Sequence, residues 1–269
     1  MNWFDAKIHP SVIKGAIFAR KTKRLEPDRI ASEACQGVDG APKVERNAIS
    51  DDVAVYYVPH TLEKCGASEL SALTLADYRE FAAIKHPGSR NRSMLARAVL
   101  RHALSEITNG SLSPSEWVFT RDEFGKPQVD ASCPQVFFSC SHSEGCSMVA
   151  VSTKGVIGID LACHQANFDL TIAELFLSQR ETSTLGEGSS SNSLKRQAFC
   201  RLWALKEAYL KMNGEALSER IRDVEFDHAT DRLTQTATGE EGAAQPEFRT
   251  WQLAAGGRSY SAALAFTLN

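Results

Sequence analysis

Hydrophobic side chains around LWALKEAYLKM, residues 202–212, recur with the period of a helix. At about 100° per residue, one broad arc collects the apolar side chains, which are Ala198, Phe199, Leu202, Leu205, Tyr209 and Leu210. Lys206 falls inside this arc, Glu207 lies on its border, and Lys211 follows Glu207 by one turn. The pattern therefore predicts a helix that carries two lysines and a carboxylate close to its buried face.

Short runs of β-branched and aromatic residues predict strands before and after this helix. VAVYYV (53–58) is one such run. VFFSCS (136–141), CSMVAVS (146–152) and VIGIDLA (156–162) are joined by the short connections HSEG and TKG, which predicts an antiparallel meander. DVEFDHA, FRTWQLAA and SYSAALAFT predict three C-terminal strands.

Helical spacing marks two segments of the N-terminal half, 75–86 and 89–108, with Ser89 as the expected N-cap of the second. The segment 117–129 predicts a strand, a turn at 122–125 and an extended exit set by Pro127. Another helix is expected from about residue 170 to 182, followed by a flexible surface loop at 183–193. Residues 1–50 show no sustained period and are interpreted as a variable N-terminal extension.

The composition is that of a globular protein with a substantial core, since 43% of the 269 residues are hydrophobic and 23% are charged. A net charge of -3 argues against a nucleic-acid-binding protein. No apolar run reaches the roughly 18 residues of a membrane span, so no membrane association is expected. The seven cysteines form no CxxC pair and no secretory signal is recognised, which together predict reduced thiols and a cytoplasmic location.

The segment VIGIDLA carries a carboxylate in an apolar setting. Strand geometry places Gly158, Asp160 and Ala162 on one face, opposite Ile157, Ile159 and Leu161. A buried carboxylate requires a cation or hydrogen-bond donors, and a structural ion pair satisfies this requirement when Asp160 is considered alone. Together with Glu207, however, Asp160 forms a strand-and-helix carboxylate pair of the kind that suits Mg²⁺, whose other ligands are waters and phosphate oxygens.

The lysines of the predicted helix have ordinary explanations as well as functional ones. Lys206 could extend its ammonium out of the apolar arc, and Lys211 could pair with Glu207 four residues earlier. Both lysines would also suit a bound phosphate beside the metal. The combination of residues is a stronger indication than any one of them.

Four short motifs occur in a fixed order along the chain. They are GKP (125–127), FSCSHS (138–143), GIDLA (158–162) and WALKEAYLK (203–211). In type and order these motifs resemble those of the surfactin-type 4′-phosphopantetheinyl transferases. The resemblance extends more weakly upstream through SRNRSMLARAVLR to about residue 75.

The resemblance implies an α+β fold of two lobes in pseudo-twofold relation, each an antiparallel sheet packed on helices, with coenzyme A in the cleft between them. The expected lobes are residues 51–155 and 156–269, and the second would carry the metal site. The implied reaction moves the phosphopantetheine arm of coenzyme A to a serine of an apo acyl- or peptidyl-carrier protein, with Mg²⁺ as cofactor. The implied enzyme is a monomer.

The resemblance also implies roles for individual residues. Asp160 and Glu207 match metal ligands, Glu207 matches the candidate general base, and Lys211 joins them as the third catalytic residue. The positions expected to hold coenzyme A are Arg79, Arg92, Lys126, Ser141, His142, Lys206 and Lys211. His142 alone would be explained by a bond to neighbouring backbone, and Cys140 is interpreted as core.

Basic side chains on the predicted helix 89–108 and just before it have a general interpretation as a solvated face that could receive an acidic carrier protein. These residues are Lys85, Arg90, Arg92, Arg97 and Arg101.

One position departs from the resemblance. The family commonly has a second acidic residue two positions after the aspartate, and here that position is Ala162. A water, Ser143 or Glu144 could supply the missing ligand. The alternative function is therefore a non-catalytic module that binds coenzyme A or a carrier protein. An acyl-coenzyme A N-acetyltransferase is a weaker alternative, because no Gly-rich pyrophosphate turn opens a helix.

Overall fold

The computed structural model describes residues 45–59, 70–123, 125–143, 145–165, 170–187, 191–215, 219–236, 245–255 and 257–268. The strands are β1 (Glu45–Ala48), β2 (Val53–Pro59), β3 (Phe119–Arg121), β4 (Pro127–Val129), β5 (Phe137–Ser143), β6 (Cys146–Ser152), β7 (Ile157–Cys163), β8 (Glu225–Phe226), β9 (Leu233–Gln235), β10 (Glu247–Ala255) and β11 (Arg258–Phe266). The α-helices are α1 (Leu75–Phe81), α2 (Pro87–Ile107), α3 (Gln179–Glu187) and α4 (Asn192–Asn213). Short 3₁₀ turns cover Pro114–Glu116, Leu170–Leu175 and Glu219–Asp223.

Two antiparallel sheets form the framework. The first has the strand order β1-β2-β6-β5 and the second has the order β10-β11-β7. The pairs β3-β4 and β8-β9 form small separate hairpins. This arrangement of antiparallel sheets with packed helices confirms the predicted α+β class.

Alternation along the strands divides the core into three layers. Tyr56 and Val149 of the first sheet pack with Met94 and Leu100 of α2. On the opposite strand faces, side chains of both sheets pack against each other, and they include Val55, Met148, Ile159 and Leu264. Beyond the second sheet, Ala263 and Ala265 pack with α4 residues such as Leu205. Each sheet therefore carries one long helix on its outer face, which gives the two halves the predicted similarity.

Helix α4 lies directly on β7 because the strand has a glycine at the crossing point. A Cβ at Gly158 would be 2.0 Å from the carbonyl oxygen of Ala208 and 2.5 Å from the amide nitrogen of Met212. Helix α4 begins after Ser191, whose hydroxyl accepts from the amide of Leu194, and ends at Gly214 with a φ of 75°. These features place the C-terminal half of α4 against the middle of β7.

The predicted meander is wrong in its last strand. Strands β5 and β6 pair as expected, but β7 leaves this sheet and pairs with β11, with Asp160 opposite Ala263. The chain turns away at Gly155, where a Cβ would be 1.9 Å from the carbonyl oxygen of Thr267. The amide of Thr267 donates to the carbonyl of Val156, which starts the pairing with the C-terminal strand.

Several element bounds differ from the sequence-based expectation. Helix α2 begins at Pro87 rather than after Ser89, because proline is well suited to the first helical position, and His86 is the N-cap through its ring nitrogen. Helix α3 runs to Glu187 and so occupies part of the predicted loop. Strand β1 lies inside the predicted extension, and residues 1–44 of that extension lie outside the described residues.

The arginine face of α2 is not solvated, which corrects the expectation for three of its members. Arg90, Arg97 and Arg101 are only 4%, 8% and 2% exposed. Arg97 and Arg101 both bind the buried carboxylate of Asp77 on α1, at 2.8 Å and 2.7 Å. These ion pairs hold α1 against α2, so the residues are not available as a docking face.

None of the helices within the described ranges is long and apolar enough to cross a membrane.

Candidate functional site

The two sheets meet at their edges through serine side chains rather than through a backbone ladder. On β7 the amides of Ile159 and Leu161 donate to the hydroxyls of Ser139 and Ser141 on β5, at 3.0 Å and 3.2 Å. Both serines are buried. These two contacts, called the serine bridge below, satisfy edge amides of β7 and bring β5 alongside Asp160.

Asp160 lies at the centre of this junction and is 2% exposed. Its Oδ1 oxygen accepts from the hydroxyl of Ser141 at 2.9 Å and from the ammonium of Lys211 at 2.6 Å. Lys211 also donates to the carbonyl of Ile159 at 3.0 Å. In this state a lysine therefore neutralises the buried carboxylate, as burial of a charge requires.

Glu207 brings a second buried carboxylate to the face of α4 that covers β7. It lies one turn before Lys211 and is 1% exposed. Its Oε1 oxygen is buried and accepts no hydrogen bond from the described residues, although Glu207 has another interaction in the protein. A buried carboxylate is the type of ligand that a hard cation such as Mg²⁺ takes from a protein.

The donor set fits a hard divalent cation that takes part of its shell from substrate. Asp160 and Glu207 would supply the carboxylate oxygens, and Mg²⁺ is usually held by one or two carboxylates together with phosphate oxygens and waters. Within the described ranges no group of three His, Cys, Asp or Glu side chains is placed to hold a metal. Ala162 is 2% exposed and packs in the core beneath α4, and Glu144 lies outside the described residues.

Lys126 reaches this region from the turn between β3 and β4. Its ammonium donates to the carbonyl oxygen of Lys211 at 2.7 Å, near the end of α4. Burial lowers the pKa of Lys126. A cation at a helix C-terminus also interacts favourably with the helix dipole. The structure thus gathers Lys126, Ser141, Asp160 and Lys211 into one connected group.

The remaining members of the FSCSHS motif lie on β5 beside this group. His142 is partly exposed and faces Ser147 across the β5-β6 pair. Cys140 packs against the core of the first half, and burial raises the pKa of its thiol to about 11. The interpretation of Cys140 as core is therefore confirmed.

The two arginines predicted to hold coenzyme A lie on the N-terminal helices. Arg79 is exposed on α1. Arg92 is partly buried in the second turn of α2 and donates to the hydroxyl of Ser89 at 3.1 Å. Their contact with coenzyme A stays a prediction.

The structure does not bring Lys206 to the Asp160 group, which corrects its predicted placement. Lys206 is 0% exposed, and its ammonium lies 2.6 Å from Oε2 of Glu181. It also donates to the carbonyls of Phe176 and Ile221, both at 3.1 Å. With its three protons used inside the protein, Lys206 is a structural residue here rather than a phosphate ligand.

Glu181, the partner of Lys206, was missed by the sequence interpretation although a local signal was present. Ser178 and Glu181 are three residues apart, which is the spacing of a capping box. In the structure the amide of Ser178 donates to Glu181 at 2.8 Å, and the amide of Glu181 donates to the Ser178 hydroxyl at 3.2 Å. This signal would have identified the start of α3, though not the ion pair with Lys206.

Comparison with known proteins finds a family for the segment that carries this group. The sequence model of the 4′-phosphopantetheinyl transferase superfamily matches residues 156–265, which contain Asp160, Glu207 and Lys211. The similarity to this superfamily that the motifs suggest is therefore found for residues 156–265 of the chain. The segment matched by the superfamily runs from β7 through β11, so it contains the second sheet and α4.

Individual transferases of the superfamily align over longer parts of the chain. The 4′-phosphopantetheinyl transferase HetI of Nostoc sp. is 28% identical over 184 residues, which are 66% of this chain and 75% of HetI. The transferase gsp of Aneurinibacillus migulanus is 30% identical over 156 residues, or 58% of this chain and 60% of gsp. The transferase psf-1 of Bacillus pumilus is 33% identical over 129 residues, or 47% of this chain and 52% of psf-1.

Proposed function

We propose that this protein transfers the 4′-phosphopantetheine group of coenzyme A to a serine of an apo acyl- or peptidyl-carrier protein. The products are the holo carrier protein and adenosine 3′,5′-bisphosphate. The observation that carries the proposal is the pair of buried carboxylates, Asp160 on β7 and Glu207 on α4, beside Lys211 in the segment that matches the superfamily. HetI and gsp are named as 4′-phosphopantetheinyl transferases, which supports the same assignment.

The chemistry assigns a distinct role to each residue. Asp160 and Glu207 would hold Mg²⁺, which would neutralise charge on the pyrophosphate when bound. Glu207 would accept the proton of the carrier serine as its oxygen bonds to the attacked phosphorus and the bond to adenosine 3′,5′-bisphosphate breaks. Lys211 would stabilise the negative charge that develops on the phosphate oxygens.

The cationic residues around the cleft would hold the phosphates of coenzyme A. The ammonium of Lys126 lies 2.7 Å from the backbone carbonyl oxygen of Lys211, near the end of α4. His142 follows Ser141 on the same strand. We include Arg79 and Arg92 as more distant phosphate contacts. The lobes would be residues 51–155 and 156–269. This division assigns one sheet to each lobe, except that β1 of the first sheet comes before residue 51.

We further propose that the protein acts as a monomer in the cytoplasm. Its five cysteines within the described ranges are free thiols, as is usual for a reducing compartment.

A non-catalytic module that binds coenzyme A or a carrier protein is the second candidate. Ala162 favours it, because this position supplies no anionic ligand to the metal. The presence of both Asp160 and Glu207 in this chain favours the enzyme, since a binding module needs the cationic phosphate contacts more than it needs two buried carboxylates.

Intact-mass measurement separates the two candidates. The protein is incubated with coenzyme A, Mg²⁺ and several apo carrier proteins, and a carrier with its serine replaced by alanine is the control. Transfer predicts a mass gain of one phosphopantetheine group on the carrier and none on the control. Bound coenzyme A without any mass gain would instead support the binding module.

A further inference from the structure

Ser141 makes two hydrogen bonds that involve different parts of β7. Its hydroxyl accepts from the amide of Leu161 at 3.2 Å and donates to Oδ1 of Asp160 at 2.9 Å. The residue is 3% exposed. One side chain of the first sheet therefore fixes both the backbone of β7 and the carboxylate that β7 presents.

The direction of these bonds limits what else Ser141 can do. A serine hydroxyl has one proton, and here that proton is directed to Asp160. Phosphate oxygens at neutral pH accept hydrogen bonds, so Ser141 cannot donate to a phosphate while it holds Asp160. The role implied by the family resemblance, a contact from Ser141 to coenzyme A, competes with the arrangement in the structure.

We infer that Ser141 is a positioning residue for Asp160 and acts on metal binding rather than on coenzyme A. This inference rests on the proposed function only in taking Asp160 as a metal ligand. The hydrogen bond that Ser141 donates to Oδ1 fixes the orientation of the Asp160 carboxylate. The other oxygen, Oδ2, then has a fixed direction in which to bind a cation. Partners of this kind commonly change metal affinity by about 10- to 100-fold when they are removed.

The chain offers a matched control two residues earlier. Ser139 accepts from the amide of Ile159 at 3.0 Å, in the same way that Ser141 accepts from Leu161. The two serines point in the same direction from β5 and are buried to a similar extent, at 7% and 3% exposure. Ser141 also donates to a carboxylate, whereas the described hydrogen bond of the Ser139 side chain is to a backbone amide. A comparison of the two serines therefore separates the stability of the serine bridge from the positioning of the carboxylate.

The experiment measures Mn²⁺ binding to the coenzyme A-free protein by electron paramagnetic resonance, in wild type, S141A, S141C, S141T and S139A. S141A should raise the Kd for Mn²⁺ by about 10-fold or more. S141C keeps a similar side-chain volume with only a weak donor, so it should show the same loss even if S141A does not fold. S141T restores a hydroxyl and should recover most of the affinity. S139A should bind Mn²⁺ like wild type while losing similar thermal stability to S141A.

Two further measurements make the result decisive. Coenzyme A affinity without metal, measured by calorimetry, should be unchanged in S141A. Weaker coenzyme A binding with unchanged Mn²⁺ affinity would overturn the inference and support the phosphate role. Equal losses of Mn²⁺ affinity in S139A and S141A, or no Mn²⁺ binding by wild type, would also overturn it.

Failure of the proposed function has a different result from failure of this inference. If wild type modifies no carrier protein but the Mn²⁺ series behaves as expected, the transferase assignment fails and the positioning role of Ser141 stands. If wild type modifies a carrier but substitution of Ser141 does not change Mn²⁺ binding, the transferase assignment stands and the positioning role of Ser141 fails.

Discussion

The ammonium of Lys211 and the carboxylate of Asp160 lie 2.6 Å apart, and this ion pair joins the last turn of α4 to the middle of β7. Lys211 is 10% exposed and Asp160 is 2% exposed, so the pair is largely removed from water. The same carboxylate is the proposed metal ligand. Lys211 neutralises Asp160 in the structure, and Mg²⁺ bound as proposed would compete with Lys211 for this carboxylate.

This competition predicts opposite effects of K211M on the free and Mg²⁺-loaded protein. Without metal, the substitution should lower the free energy of unfolding by about 3–5 kcal/mol, because it leaves a buried carboxylate without its cation. Mg²⁺ should then raise the Tm of K211M more than that of wild type. Thermal unfolding with and without Mg²⁺ checks this, with K154M in the exposed turn after β6 as the control. Equal Mg²⁺ responses in K211M and wild type would contradict the competition.

The two-carboxylate site predicts how wild type, A162E, D160A and E207A should differ when the transfer rate is measured at increasing Mg²⁺ concentrations. A162E adds an acid on the same strand face as Asp160, so it should lower the Mg²⁺ concentration for half-maximal rate. D160A should raise this concentration. E207A should cost most, with a rate loss of at least about 10²- to 10⁴-fold, because it also removes the proposed base. A D160A protein with the wild-type rate and midpoint would exclude Asp160 as a metal ligand.

His142 and Lys211 should both contribute to coenzyme A binding, since both are expected to contact its phosphates. H142A and K211A should each weaken the affinity for coenzyme A in calorimetry without metal. C140A, at a core position on the same strand, should leave this affinity near the wild-type value. Wild-type affinity in H142A and K211A would reject both roles.

The buried ion pair of Lys206 and Glu181 predicts a loss of stability rather than of coenzyme A affinity. K206M should lower the free energy of unfolding by about 3–5 kcal/mol, because the buried Glu181 loses its cation. Urea unfolding measures this loss, and calorimetry should find near-wild-type coenzyme A affinity in the folded variant. A stable K206M with weak coenzyme A binding would restore the phosphate role that the sequence predicts.

The pH dependence of stability provides an independent check on Lys206. Burial lowers the pKa of its ammonium below the ordinary value of 10.5, although Glu181 opposes this effect. Below pH 10.5 the unfolded chain therefore binds more protons at this position than the folded protein does. The contribution of Lys206 to the free energy of unfolding should rise as pH increases towards 10.5. The difference between wild type and K206M in urea unfolding should grow in that direction.

Local patterns predicted the parts of the site that depend on short sequence spacing. Alternation along β7 correctly placed Asp160 opposite the face of Ile159, because strand geometry repeats every two residues. Helical spacing likewise placed Glu207 and Lys211 close to the buried face of α4. These predictions needed no knowledge of the partner elements.

The partners themselves could not be predicted from local pattern. Strand β7 pairs with β11, and a short TKG turn after β6 is equally compatible with a continued meander. Lys206 lies in the apolar arc of α4 whether it is interpreted as a phosphate ligand or as a structural residue. Its partner Glu181 is brought to it only by the fold. The solvated arginine face failed for the same reason, since Asp77 comes from another helix. Long-range pairing decided each of these cases.

Lys126 contacts the carbonyl oxygen of Lys211, while the side chain of Lys211 holds Asp160. A bound phosphate that attracts the ammonium of Lys126 would therefore draw it away from the carbonyl oxygen of Lys211. This carbonyl would lose a hydrogen bond, and it belongs to the residue whose ammonium pairs with Asp160. The two lysines then cannot contribute independently to ligand binding, and the effects of K126A and K211A on coenzyme A affinity should be non-additive. By thermodynamic reciprocity, any help that coenzyme A gives to Mg²⁺ binding must be returned equally by Mg²⁺ to coenzyme A.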